Sequence, residues 1–197
     1  ATDDLAVLST AQVRALGTTL LDALTTAQVA ALQTEQMAGL STAQVRALDT
    51  AQVQALSTSN IEALESTQVR ALSSTQAGAL TTEQVQAIET ADLRAMTSTA
   101  VAALGTSAVV ALTTDQAAAL TTGQVAAMTT AQVAAIATDD LESLTTAQVA
   151  ALLTQQVQAL QTDQVQALTS DQVAALGTRQ VSALTTAQVA VVETTDV

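Results

Sequence analysis

The sequence predicts an all-α solenoid built from very short helices, one for every eight residues, with a β-solenoid as the alternative. Three observations carry this expectation. Apolar side chains recur with a period of eight, which neither an unbroken helix nor a coiled coil can hold on one side. Helix-forming Ala, Gln and Leu fill most of each period. Acids gather early in each period and arginines late, which is the polarity a helix dipole prefers.

The stretch Leu24–Leu32, LTTAQVAAL, shows the period, and the same nine letters return as Leu144–Leu152. Leu or a close substitute stands at every multiple of eight from Leu8 to Val192; of these 24 positions 19 are Leu. With that residue as place 8 of an octad, the consensus reads x-T-x-Q-V-x-A-L. Place 2 is Thr or Ser in all 25 instances, and place 4 is Gln in 17. At ~100° per residue, eight residues turn the apolar stripe by about 80°, so one helix cannot carry it and must break once per octad. Thr and Val would suit strands. Tight β-turn chemistry is scarce, however, with 6 Gly and no Pro.

Taken in order, place 1 is expected to be the turn, and Gly17, Gly105 and Gly177 stand there as residues tolerant of positive φ. Place 2 is expected to be the N-cap, its hydroxyl accepting from a backbone N–H one turn on. A competing frame makes place 1 the cap and Gln its capping-box partner, as in Ser9-Thr10-Ala11-Gln12. Places 3–8 form a helix of under two turns. Val at place 5 and Leu at place 8 share its buried face. Ala at place 7 allows the next short helix to approach. Fifteen of 18 acids lie at places 1, 3 and 4, whereas four of five Arg (Arg14, Arg46, Arg70, Arg94) lie at place 6. The 23 charged residues avoid places 2, 5, 7 and 8, which marks those places as buried or structurally committed. Such a helix is too short to persist alone, so stability must come from neighbours in a stack. The 24-residue spacing of Arg46, Arg70 and Arg94 hints at three octads per coil. The faces are expected to be chemically uniform.

No residue is inserted or deleted anywhere, so 1–197 reads as a single continuous octapeptide-repeat array, expected to be a fragment of a longer chain. The net charge is −13 with five Arg and no Lys, the opposite of a phosphate-binding footprint, so no nucleic acid partner is expected. No apolar run approaches the ~18 residues of a membrane span. The chain has no His and no Cys, which removes the usual nucleophile–base pairs and zinc sites. Paired acids occur at Asp3-Asp4 and at Asp139-Asp140 near Glu142, without calcium-loop spacing; they are read as solvated charges beside helix N-termini. No catalytic, cofactor-binding or metal-ligating residue is assigned, no cofactor is expected, and the chain is not expected to be an enzyme.

Two resemblances rest on these residues. LTTAQVAAL is similar to the opening helix of TAL-effector repeats, pattern L-T-x-x-Q-V-x-A-[IL]. Those repeats go on to a second helix and a base-reading loop, and here the phrase restarts after eight residues with no such position. The whole chain also resembles the Thr/Ala/Gln-rich octapeptide tracts of large bacterial surface and secreted adhesin-like proteins. That resemblance implies an extracellular or cell-surface location. The expected function is a structural repeat rod, as an extracellular filament subunit or the stalk of a cell-surface protein, with self-association into filaments. The alternative is an adhesin or surface-binding module recognising a glycan, ice or a host ligand, with exposed Ser and Thr as possible carriers of sugar.

Overall fold

The computed structural model describes residues 5–192 of the chain, in which the octads fold as stubs of α-helix, several of them followed by two extended residues. The described residues hold 23 helices of four to six residues and no strand. The chain is therefore all-α and solenoid-like, with one helix per octad. It divides into two compact units, 1–104 and 105–197.

The first unit contains α1 (Thr10–Ala15), α2 (Thr18–Asp22), α3 (Thr26–Ala30), α4 (Thr34–Ala38), α5 (Thr42–Ala47), α6 (Thr50–Ala55), α7 (Thr58–Glu62), α8 (Ser66–Val69), α9 (Ser74–Ala79), α10 (Thr82–Gln86), α11 (Thr90–Ala95) and α12 (Ser98–Ala103). The second contains α13 (Thr106–Val110), α14 (Thr114–Ala119), α15 (Thr122–Ala127), α16 (Thr130–Ala135), α17 (Thr138–Ser143), α18 (Thr146–Ala150), α19 (Thr154–Ala159), α20 (Thr162–Gln166), α21 (Ser170–Ala174), α22 (Thr178–Val181) and α23 (Thr186–Val189).

Every helix packs on the helix three octads away, so three octads close one coil. In the first unit this makes three stacks: α1–α4–α7–α10, α2–α5–α8–α11 and α3–α6–α9–α12. In the second unit the stacks are α13–α16–α19–α22, α14–α17–α20–α23 and α15–α18–α21. Val at place 5 and Leu at place 8 point inward from all three stacks; Val53, Leu56, Val157 and Leu160 are all buried. Each such side chain removed from water contributes roughly 1.5–3 kcal/mol against the entropy of ordering its octad.

The helix start differs from the favoured expectation. The N-cap is place 1, not place 2: Ser73 Oγ accepts from Gln76 N at 3.2 Å, and Thr129 Oγ1 from Gln132 N at 3.1 Å. Thr at place 2 is the first helical residue and is mostly exposed. The positive-φ turn is also absent, since no described residue has positive φ. Gly17 sits at φ −68°, ψ 157°, an ordinary extended N-cap. Leu16 before it is extended too, at φ −63°, ψ 129°. A corner of two consecutive extended residues turns the chain without left-handed backbone, which explains why glycine is scarce. At Thr10, place 2 lies under place 7 of the next coil. A Cβ built on Gly39 would lie 3.2 Å from Thr10 Cβ, so a small residue belongs there.

Candidate functional site

Short helices leave many backbone groups unpaired for their length, and the structure satisfies them with one side chain. A helix cannot bond its first four N–H or last four C=O groups internally. Gln at place 4 is the third helical residue, and its amide works in two directions. Its Oε1 accepts from the N-cap backbone N–H of its own helix, at 2.9 Å from Ser73 to Gln76 and 2.7 Å from Glu65 to Gln68. Its Nε2 donates to the end of the helix four octads earlier. Gln68 Nε2 lies 3.0 Å from Met37 O, 3.2 Å from Ala38 O and 2.7 Å from Leu40 O. Gln172 does the same in the second unit, to Leu141, Glu142 and Leu144 at 3.0, 3.0 and 2.7 Å.

This clasp recurs at a separation of 28 to 31 residues throughout both units. The capping half persists where place 1 has no side-chain oxygen to offer, as at Leu153 and Gly177. The donors are buried: Gln52, Gln124 and Gln156 are each 1 % exposed. Avoidance of charge did not reveal place 4 as interior, because Asp occurs there. Its real signature is Gln in preference to Glu. Either can complete a capping box, but only the amide has N–H groups to give the carbonyls.

Departures at place 4 are informative. Asn60 is one methylene shorter and reaches only Leu32 O, at 2.9 Å. Asp92 and Asp140 are buried carboxyls with no N–H to donate. The Asp92 carboxylate accepts instead from the Ser66 hydroxyl. Burial, and then the neighbouring Asp139 carboxylate, raise the Asp140 carboxyl above its ordinary range. Asp139 is exposed and Glu142 is exposed at the other end of the same helix. Asp3 and Asp4 lie outside the described residues. Among the described residues, no three His, Cys, Asp or Glu side chains are close enough to hold a metal ion.

The faces are not uniform, contrary to expectation. The period of eight is the same in every octad, but each stack collects only every third one. In the first unit the stack α2–α5–α8–α11 carries Arg46, Arg70 and Arg94 at place 6, all exposed, in steps of one coil. The same stack carries Asp22 one coil before Arg46, and the N-caps Glu65 and Glu89 at the opposite ends of its helices. Stack α3–α6–α9–α12 has a single charge, the N-cap Asp49, and its helices approach so closely that a Cβ on Gly78 would meet Ala103 O at 2.9 Å. In the second unit the stack α14–α17–α20–α23 carries Asp115, Asp139 and Asp163 at place 3, again exposed and one coil apart. Arg46 is anchored by its Nε, which donates to Ala71 O at 3.0 Å.

Inside the second unit lies an apolar cavity of about 410 Å³, lined by aliphatic side chains of places 5 and 8 such as Val149, Leu152, Val157 and Leu160. Among the described residues no helix is long and apolar enough to cross a membrane.

A family model described as the ALTTAQ repeat matches residues 1–34, 29–66, 60–88, 85–122, 133–170 and 165–194. No curated protein matches the chain.

Proposed function

Because the chain belongs to the ALTTAQ repeat family, we propose that it is a non-enzymatic structural repeat array, serving as the stalk of a cell-surface protein or the subunit of an extracellular filament. The observation that carries the reading is the use made of the recurring side chains. Val and Leu fill the core, Gln where present ties its helix to the one four octads back, and the place-1 oxygens cap helix starts. The most regular features of the sequence are thus spent on repeating the fold. Contacts confined to neighbouring coils suit an array whose length evolution can change without redesign.

Two measurements test the reading. Protease treatment of intact cells producing the full-length protein is expected to release peptides from this array, as a surface location requires. Electron microscopy of the purified full chain is expected to show thin elongated particles or fibres. Peptides appearing only after lysis, together with compact particles, would sink it.

A second reading has its own observation. The Thr and Ser hydroxyls of place 2 are not N-caps, and most are exposed, as Thr26, Thr50 and Ser74 on the stack α3–α6–α9–α12 are. Hydroxyls repeated at one-coil steps suit a surface-binding module for a glycan, ice or a host ligand. A glycan-array or ice-recrystallisation signal that survives Thr26→Ala, Thr50→Ala and Ser74→Ala combined would remove this support.

A further inference from the structure

The two charged columns match. Arg46, Arg70 and Arg94 follow one another at 24-residue steps on a stack of the first unit, and Asp115, Asp139 and Asp163 do so on a stack of the second. Twenty-four residues is one coil in each unit, so the charges along both columns are spaced by the same repeat. All six side chains are exposed. Each column alone is unfavourable, since neighbouring like charges repel. Three of the chain's five cations share one column in a protein of net charge −13. Helix polarity favours Arg at place 6 and Asp at place 3, but it does not gather them on one stack, since place 6 accepts Ala, Gln, Glu and Arg alike.

We propose that these columns form an interface between copies, the Arg46–Arg70–Arg94 column of one chain docking against the Asp115–Asp139–Asp163 column of another. The partner is a second copy because it brings the opposite charge at the same step, so that fixing one pair brings the other two into register. Glu65 and Glu89 sit at the far ends of the Arg-bearing helices, and Asp22 bounds the column one coil before Arg46. These acids limit where a partner's acidic column can lie without repulsion. Glu142 stands on the acidic side and adds to its attraction for arginine. Arg46 is held in place by its bond to Ala71 O, and its remaining guanidinium N–H groups are available to a carboxylate. Exposed ion pairs are individually weak and screened by salt. The contact is therefore reversible, lateral and strongest at low ionic strength. It is independent of cellular location, so its failure would leave the structural reading standing.

Sedimentation velocity of the full chain at rising concentration tests this directly. Association is expected in low salt and dissociation in high salt. Arg46→Glu/Arg70→Glu/Arg94→Glu and Asp115→Arg/Asp139→Arg/Asp163→Arg should each weaken self-association by about tenfold or more. Their equimolar mixture should associate again, because acidic columns then meet basic ones. The milder Arg→Gln and Asp→Asn triples, with helical circular dichroism as a check on folding, guard against charge reversal unfolding the array. A wild-type chain that stays monomeric in low salt overturns the proposal. So does association that survives both triple variants, or loss with the arginine variant alone, which would mean that the arginines bind some other acidic group.

Discussion

At Gln68 one amide serves two helices: its oxygen closes the start of α8, and its nitrogen closes the end of α4 four octads earlier. Gln68→Glu keeps the first role, loses the second and buries a charge. It is expected to destabilise the first unit by at least the ~1–3 kcal/mol of an unsatisfied buried group, measured by urea denaturation. Asp140 is the natural form of that defect: it is buried at place 4 without an N–H, and by the 31- and 28-residue register of the other clasps its carbonyls would be Val109 O and Leu112 O. Asp140→Gln is therefore expected to stabilise the chain by about 1 kcal/mol or more. The pH dependence has a definite sign. The Asp140 carboxyl is raised in the folded state by burial and by Asp139. Asp115 on α14, Asp163 on α20 and Glu142 on its own helix add no cation to offset this. Its stabilising contribution is complete below the unfolded pKa and is lost as pH rises through the folded value. The gain in melting temperature from Asp140→Asn should thus be largest near neutral pH and shrink in acid. A gain that is flat with pH would mean that the carboxyl titrates normally.

At the scale of the helix, the position of the cap is the discriminating feature. Ser73→Ala removes the hydroxyl that accepts from Gln76 N and is expected to cost ~1 kcal/mol. Thr50→Ala alters the exposed first helical residue of α6, whose cap is Asp49, and should cost clearly less. Equal losses in thermal unfolding would restore place 2 as the cap. In the sequence place 2 is the stronger cap candidate, because Thr or Ser stands there in every octad. In the structure most of these residues are exposed, and Thr10 lies under Gly39, at place 7 of the next coil. The variable place 1 caps because several short polar side chains do so equally well, and the Gln oxygen covers for those that cannot. Gly78 is the opposite case, a position where variability ends. Gly78→Ala pushes a methyl group against Ala103 O and is expected to separate α9 from α12, lowering stability by about 1–3 kcal/mol.

At the scale of the molecule, equivalence of octads governs what the chain tolerates. Deleting residues 57–64 removes one whole octad and leaves every later residue at its place, so helical content per residue should be unchanged by circular dichroism. Deleting four residues at the same point sets Val at the exposed place 1 and exchanges the buried Gln and Leu of places 4 and 8 downstream, and should abolish cooperative unfolding of the first unit. The octad deletion moves later octads to the next stack. It therefore takes Arg46 out of line with Arg70 and Arg94, and low-salt association should weaken while the fold persists.

The sequence by itself determined the repeat, the all-α class, the helix polarity and the two apolar places. These follow from local chemistry and from the mismatch between a period of eight and the 3.6-residue turn. Only the tertiary structure decided that three octads close a coil, that Gln is the fastener between coils, and that the stacks differ in charge. Those features link residues 24 to 31 positions apart, and their partners are largely backbone carbonyls, which every residue possesses and which leave no mark in a sequence.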